Sequence, residues 1–196
     1  MIQAKSIFII PGYNHTPSYS AYRKITILLQ NKGYSPIPVT IPWKQNITQN
    51  TDYFLKEFKK ITGKKKYILG FSFGAMIALL ASTKVSVNGL ILCSLSPYFK
   101  EDLPKISKSD YARIKKLYYN DFTKLSFQKM AKKTKAKQIL MLYGAREATS
   151  LKNRVSETYN EINLKNKYLL PISRTEHNIG DYKYLNKISK IIKLLK

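Results

Sequence analysis

The chain has 196 residues, of which 44% are hydrophobic and 23% are charged, close to the averages of globular proteins. This composition excludes a fibrous or intrinsically disordered chain, and the length predicts a single domain over residues 1–196. The formal net charge of +24 comes from 35 Lys and Arg against 11 Asp and Glu, and a surface this basic attracts anionic polymers and membranes.

The charge alone does not identify a partner, because base composition of a genome can produce the same richness in lysine. Neither zinc-finger spacing nor the signature of an RNA-binding sheet accompanies it, so we find no specific nucleic-acid motif. The sequence has no apolar run long enough for a signal peptide or a transmembrane segment. Its one cysteine, Cys93, cannot form an intrachain disulfide, and we therefore expect a cytoplasmic protein.

Apolar runs of strand length alternate along the chain with segments of helical spacing, which is typical of a parallel sheet with crossover helices. The predicted strands are residues 6–10, 36–41, 66–69, 87–95, 138–143 and 168–172. The predicted helices are residues 19–31, 51–61, 75–82 and 181–195. Prolines in the second strand place it at a sheet edge. The sequence thus predicts a three-layer α/β/α sandwich with a six-stranded parallel sheet.

A long lysine-rich segment, residues 97–137, separates the fourth and fifth predicted strands. Apolar residues recur at helical intervals around residues 111–119 and 127–131, which predicts one or two short helices there. Connections of this length usually carry function or structure of their own. We therefore expect a helical insertion beside the mouth of the active site.

The third predicted strand runs directly into Gly70-Phe71-Ser72-Phe73-Gly74 and then into an apolar helix. This order of strand, tight turn and helix is the context of a nucleophile elbow, with the serine at its tip. Glycines on both sides let strand and helix approach, and the N-terminus of the helix favours negative charge. The segment predicts Ser72 as a nucleophile; the alternative is a glycine-rich turn that binds phosphate or nothing.

A serine hydroxyl needs a base within hydrogen-bond reach, and the chain has only two histidines. His177 follows the sixth predicted strand and so lies at the same carboxyl edge of the sheet as Ser72, which favours it as the base. A carboxylate must orient that base. Glu147, after the fifth strand, is the first candidate, with Asp102 or Glu101 after the fourth strand in reserve.

Backbone amides must also receive the negative charge that develops on the substrate oxygen. The amide after the nucleophile belongs to Phe73, and the loop after the first strand offers that of Tyr13. Aromatic side chains at and near these positions predict an apolar acyl pocket. The candidate substrate-binding residues are Asn14, Phe71 and Tyr98.

The segments PGYNH, GFSFGAM, YGARE and TEHN, in that order and spacing, resemble the four active-site segments of the α/β-hydrolase superfamily. The likeness covers most of the chain and is to small, lidless, esterase-like members with a six-stranded parallel sheet. It implies acyl transfer to water through a serine ester, without a metal or organic cofactor. It assigns the nucleophile to Ser72, the base to His177, the acid to Glu147, and the oxyanion hole to Tyr13 and Phe73. The glutamate acid, Asn14 and His15 depart from the family pattern.

These observations predict a serine hydrolase that cleaves a small-molecule carboxylic ester, and thioesters or amides fit the same triad. The rival is a non-catalytic binding protein on a hydrolase scaffold, whose lysines in residues 97–137 hold an anionic polymer or membrane surface. It predicts binding that weakens steeply with salt, and no turnover. The sequence leaves the oligomeric state open.

Overall fold

One sheet of six parallel strands forms the centre of the computed structural model, which describes residues 5–62, 65–106 and 116–195. The strands are β1 (Lys5–Ile10), β2 (Tyr34–Pro38), β3 (Lys65–Phe71), β4 (Gly89–Cys93), β5 (Ile139–Gly144) and β6 (Lys167–Ile172). Their order across the sheet is β2-β1-β3-β4-β5-β6, and every neighbouring pair is parallel. All six carboxyl ends therefore meet at one edge of the sheet, and β2 lies at one end of it, as its prolines predict.

Helices cover both faces of this sheet. One face carries α1 (Ser20–Gln30) and α7 (Tyr182–Ile191). The other carries α2 (Ile47–Lys60), α3 (Phe73–Lys84), α4 (Lys116–Phe122), α5 (Phe127–Lys133) and α6 (Thr149–Glu161). The predicted three-layer α/β/α sandwich is therefore confirmed. No helix in the described ranges is long and apolar enough to cross a membrane.

Each face of the sheet has its own hydrophobic core, because successive side chains of a strand point to opposite faces. In β1, Phe8 and Ile10 pack against α2 and α3, whereas Ile7 and Ile9 pack against α1 and α7. Helix α3 is buried on nearly every side, as its continuous apolar sequence predicts. This burial fixes the N-terminus of α3, where the predicted nucleophile lies.

Most elements differ from their predicted bounds by one to four residues, α6 has no predicted counterpart, and the shifts of α2 and β2 have a clear cause or consequence. Helix α2 starts at Ile47 instead of residue 51, because Asn46 and Gln49 form a capping box. The Asn46 side chain accepts from the Gln49 N–H at 2.9 Å, and the Gln49 side chain accepts from the Asn46 N–H at 3.2 Å. Strand β2 covers Tyr34–Pro38 instead of residues 36–41, and Val39 adds one last hydrogen bond to the Ile9 carbonyl.

The predicted insertion, residues 97–137, contains a single 3₁₀ turn (Leu103–Lys105), α4 and α5 within its described part. The predicted helix around residues 111–119 begins at residues that lie outside the described ranges, and α4 is its described part. Asp121 of α4 accepts hydrogen bonds from the Thr48 N–H and hydroxyl at 3.0 and 2.6 Å. The Tyr118 hydroxyl donates to the Trp43 carbonyl at 2.6 Å. These contacts fix α4 beside the carboxyl edge of the sheet.

Candidate active site

The turn between β3 and α3 holds Ser72 in a strained backbone conformation, with φ of 56° and ψ of −117°. The Ser72 N–H donates to the Cys93 carbonyl at 2.9 Å, which ties the turn to β4. A Cβ atom on Gly70 would overlap the Gly74 carbonyl, and one on Gly74 would overlap the carbonyl of Ile10. Only glycine fits at both positions, and the tight turn leaves Ser72 at the carboxyl edge of the sheet.

His177 faces Ser72 from the loop after β6. Its Nε2 atom lies 3.1 Å from Ser72 Oγ, within hydrogen-bond range. The imidazole stacks on the buried ring of Phe71, with centroids 4.8 Å apart and 30° between the planes. Phe71 therefore fixes the plane in which His177 can accept the serine proton.

Glu147 lies behind the imidazole, in the loop after β5. Its Oε1 atom is 3.5 Å from His177 Nδ1, and its side chain is 0% exposed. This distance is longer than an ordinary hydrogen bond but within the reach of an ion pair. The structure thus brings together Ser72, Glu147 and His177, which come from the loops after three different strands of the sheet.

The two reserve acids do not contact His177. Asp102 accepts hydrogen bonds from Arg154 Nε at 3.0 and 3.1 Å and from its Nη2 at 2.5 Å. Glu101 accepts from the Ser126 hydroxyl and therefore holds the start of α5. Asp102 therefore connects the predicted insertion to α6, whereas Glu101 makes its contacts within that insertion.

Two backbone amides near Ser72, those of Phe73 and Tyr13, have no backbone acceptor among the described residues. Phe73 is the first residue of α3, so its N–H has no acceptor within the helix. Tyr13 follows the turn at Gly12, and in the described part of the chain neither its N–H nor that of Phe73 has a backbone acceptor. The rings of Tyr13 and Phe73 are 5.3 Å apart, so the two residues are neighbours beside Ser72. This arrangement suits an oxyanion hole.

His15, the second histidine, is not brought to Ser72. Its Nδ1 atom is 3.0 Å from the Tyr22 hydroxyl, and its carbonyl accepts from Trp43 Nε1 at 3.1 Å. Burial first, and the nearby charge of protonated His177 second, lower the pKa of His15 below its ordinary value. His15 is therefore neutral at neutral pH and supports the loop that carries Tyr13.

A cavity of about 510 Å³ opens in front of Ser72. Its lining residues are Tyr13, Ser72, Phe73, Ser96, Pro97, Tyr98, Tyr118, Phe122, Glu147, Ala148, Ser150, Leu151 and His177. Two pairs of these aromatic rings pack edge to face, with centroids 5.5 Å apart for Tyr13 and Tyr118 and 5.8 Å apart for Phe73 and Phe122. Although the chain is strongly basic, these lining residues include no lysine or arginine. The cavity therefore suits an uncharged, apolar group.

Three residues were predicted to bind substrate. Tyr98 lines this cavity, and Asn14 and Phe71 are not among its lining residues. Phe71 lies beneath the His177 ring instead of on the cavity wall. Asn14 is exposed and has φ of 57°, a left-handed conformation that a short polar side chain tolerates well. The structure therefore gives Asn14 a place in the turn after β1 and Phe71 a place behind the base.

Two serines at this site are missing from the sequence-based prediction. Ser96 Oγ lies 3.0 Å from Ser72 Oγ, and Ser94 Oγ donates to Glu147 Oε1 at 2.6 Å. Both follow β4, which neighbours β3 and β5 in the sheet. Their position after a central strand was the available signal, because it places them at the same edge as Ser72.

The described residues contain no group of three or more His, Cys, Asp or Glu side chains that could hold a metal ion. The polar groups that converge on the cavity are hydroxyls, an imidazole and a carboxylate.

Several hydrolases of known structure share this architecture. Est1E from Butyrivibrio proteoclasticus has a TM-score of 0.82 and 16% identity over 98% of this chain and 86% of its own, and a second structure holds ferulic acid. Mouse α/β hydrolase domain-containing protein 10 has a TM-score of 0.81 and 12% identity over 97% of this chain and 88% of its own. The Pyrococcus furiosus esterase Pf2001 has a TM-score of 0.71 and 15% identity, over 98% and 84%.

The sequence itself matches no protein-family model and no curated protein. The structural likeness nevertheless extends over nearly the whole chain in each comparison. Strand order, the strained turn at Ser72 and this likeness agree, and the chain has the α/β-hydrolase fold.

Proposed function

We propose that this protein is a serine hydrolase that cleaves carboxylic esters through Ser72, His177 and Glu147. The observation that carries the proposal is the 3.1 Å contact between Ser72 Oγ and His177 Nε2, made by a serine at the tip of a strained turn. Strained backbone of this kind is concentrated at functional sites. The buried Glu147 carboxylate behind the imidazole supports the same assignment, because an orienting acid completes the triad.

In this mechanism His177 Nε2 takes the proton from Ser72 Oγ as that oxygen attacks the ester carbonyl carbon. The negative charge on the carbonyl oxygen is received by the N–H groups of Tyr13 and Phe73, aided by the dipole of α3. Collapse of the tetrahedral intermediate breaks the C–O bond, and the imidazolium returns its proton to the leaving alcohol. Glu147 stabilises that imidazolium. Water, deprotonated by His177, then attacks the acyl carbon; the bond from that carbon to Ser72 Oγ breaks, the imidazolium returns its proton to Oγ, and the carboxylic acid leaves.

The aromatic lining of the cavity indicates that the cavity holds the acyl group of the substrate and that this group is apolar. Five of its lining residues are aromatic (Tyr13, Phe73, Tyr98, Tyr118 and Phe122), and Leu151 and Pro97 add aliphatic surface. Est1E, which shares the fold, binds ferulic acid, an aromatic carboxylic acid. A planar or chain-like apolar acyl group makes favourable contacts with such walls without placing a charge among them.

A fluorophosphonate probe tests the proposed nucleophile, because it reacts only with an activated serine. Wild type is expected to be labelled and to hydrolyse p-nitrophenyl butyrate at neutral pH, whereas Ser72→Ala does neither. Ser173→Ala is the matched control, since Ser173 is an exposed serine in the loop that carries His177. Its labelling should equal that of wild type.

Labelling that persists in Ser72→Ala would remove Ser72 from this role. Folded wild type that is not labelled would contradict the hydrolase itself. In that case binding to an anionic polymer such as heparin, lost steeply as salt is added, would support the non-catalytic rival.

A series of p-nitrophenyl esters tests the apolar acyl site. From acetate to butyrate to hexanoate, kcat/KM should rise about three- to fourfold per methylene, because each buried CH₂ contributes ~0.8 kcal/mol. The variant Leu151→Asn places an amide of similar size in the cavity wall and should flatten the series. Steady-state kinetics on both proteins measure the slopes. A wild-type series that is flat or falls would show that the acyl chain does not enter this cavity.

A further inference from the structure

Ser94 occupies a costly backbone position directly after β4. It is fully buried, has φ of 51°, and donates its N–H to the Leu142 carbonyl of β5 at 2.7 Å. The left-handed conformation is strained for a residue with a Cβ atom and natural for glycine. A favourable contact of the Ser94 side chain must offset this strain, and the hydroxyl group supplies one.

The Ser94 hydroxyl lies between two polar groups. Its Oγ donates to Glu147 Oε1 at 2.6 Å and lies 2.8 Å from the Tyr184 hydroxyl. A hydroxyl has one proton to donate, so the Tyr184 hydroxyl must donate to Ser94. The Tyr184 hydroxyl also donates to the Leu142 carbonyl at 3.4 Å, a longer contact that shares the same proton. A chain of contacts therefore runs from Tyr184 through Ser94 and Glu147 to His177.

Glu147 needs such a donor. Its side chain is 0% exposed, and its Oε2 atom has no hydrogen-bond partner among the described residues. A carboxylate removed from water is unstable unless hydrogen bonds compensate it. The bond from Ser94 is the one side-chain hydrogen bond that the described part of the chain gives to this carboxylate. It also fixes the oxygen that faces His177 Nδ1.

We propose that Ser94 is a positioning residue that donates a hydrogen bond to the buried Glu147 carboxylate and turns its Oε1 atom toward His177, while Tyr184 holds the Ser94 hydroxyl in its donating orientation. The inference rests on the proposed function, because it requires Glu147 to orient the catalytic base. Neither Ser94 nor Tyr184 lines the substrate cavity. Their effect should therefore fall on kcat and not on KM.

The hydrogen bond from Ser94 to Glu147 determines the direction in which the acidic limb of the kcat/KM profile should move when Ser94 is replaced. The active pair consists of charged Glu147 and neutral His177, and one added proton inactivates it. A hydrogen bond donated to the carboxylate favours its charged form. Removing the Ser94 hydroxyl makes protonation of the pair easier, so the acidic limb of the kcat/KM profile moves to higher pH.

Other titratable groups near the pair do not obscure this limb. Cys93 and Tyr184 face Glu147, and burial raises the pKa of each above its ordinary value, so both keep their protons throughout the relevant range. The His15 ring stacks on Phe71 with centroids 6.3 Å apart, and burial first and the charge of His177 second lower its pKa, so it titrates at lower pH. The limb therefore reports on Glu147 and His177.

The test is the pH profile of p-nitrophenyl butyrate hydrolysis by Ser94→Gly, Ser94→Ala and Tyr184→Phe. Both Ser94 variants should lose about tenfold to a hundredfold in kcat at unchanged KM, with the acidic limb moved to higher pH. Tyr184→Phe should show a smaller change in the same direction. Glycine relieves the backbone strain at this position, so Ser94→Gly should unfold at no lower temperature than Ser94→Ala.

A loss of kcat with an unmoved acidic limb would reduce Ser94 to a packing role, and full activity of Ser94→Gly would overturn the inference. The Ser72→Ala control distinguishes a wrong proposed function from a wrong positioning role for Ser94. If Ser72→Ala remains active, the proposed function is wrong. If Ser72→Ala is inactive while the Ser94 variants match wild type in rate and pH profile, only the positioning role is wrong.

Discussion

Replacement of His177 by alanine should lower kcat by about 10⁴- to 10⁶-fold, nearly as far as Ser72→Ala, because the members of the proposed triad would act as a unit. The other histidine, His15, is not placed to substitute for it, since its Nδ1 atom contacts the Tyr22 hydroxyl instead of Ser72. The double variant of Ser72 and His177 should be no slower than either single variant. Steady-state hydrolysis of p-nitrophenyl butyrate measures all three.

The matched variant is His15→Gln, at the other histidine of the chain. Because His15 supports the loop of Tyr13 and does not reach Ser72, its loss should cost about tenfold at most, far less than loss of His177. If His177→Ala loses only a few-fold, or if His15→Gln loses more, the base has been assigned to the wrong histidine.

Glu147→Gln should lower turnover and leave stability largely unchanged, whereas Asp102→Asn should lower stability and leave turnover largely unchanged. Glu147→Gln removes the charge behind the imidazole and lowers kcat by about 10³- to 10⁴-fold. Asp102→Asn leaves Arg154, which is 1% exposed, with Glu157 as its remaining carboxylate at 3.0 Å. Removal of one partner from a buried ion pair destabilises a protein by about 3–5 kcal/mol, and the remaining contact with Glu157 makes this range an upper limit here, while turnover per folded molecule should change little.

Urea unfolding and kcat, measured on both variants, distinguish the two roles. A stable Glu147→Gln protein with near-normal turnover would remove Glu147 from the triad. A well-folded Asp102→Asn protein without turnover would assign the acid to the loop after β4.

The sequence predicts the part of the site that depends on local pattern and parallel topology. Strand, tight turn and apolar helix around Ser72 are consecutive in the chain, so their geometry follows from nearby residues. The meeting of Ser72, Glu147 and His177 follows from the parallel sheet, because the loops after β3, β5 and β6 leave the same edge.

Other features depend on contacts between distant parts of the chain. In the sequence, Asp102 is a carboxylate that follows a strand and has no obvious partner nearby. Only the folded structure brings Arg154 into contact with it. Ser94 is one serine in an apolar run, and its left-handed backbone and its bond to Glu147 arise from packing between β4 and β5. By contrast, the capping box of Asn46 and Gln49 is a local sequence pattern that predicts a helix start at Ile47, whereas apolar spacing alone predicts a start at residue 51.

The prolines of β2 also determine how two copies of this chain can meet. The Val39 N–H points toward β1, where it donates to the Ile9 carbonyl. Because successive N–H groups of a strand alternate in direction, Pro36 and Pro38 occupy positions that face away from β1. Proline has no N–H, so this open edge lacks donors that an incoming strand would need. Copies are therefore hindered from joining through β2 into a continuous sheet, which protects this end of the molecule from strand-mediated aggregation.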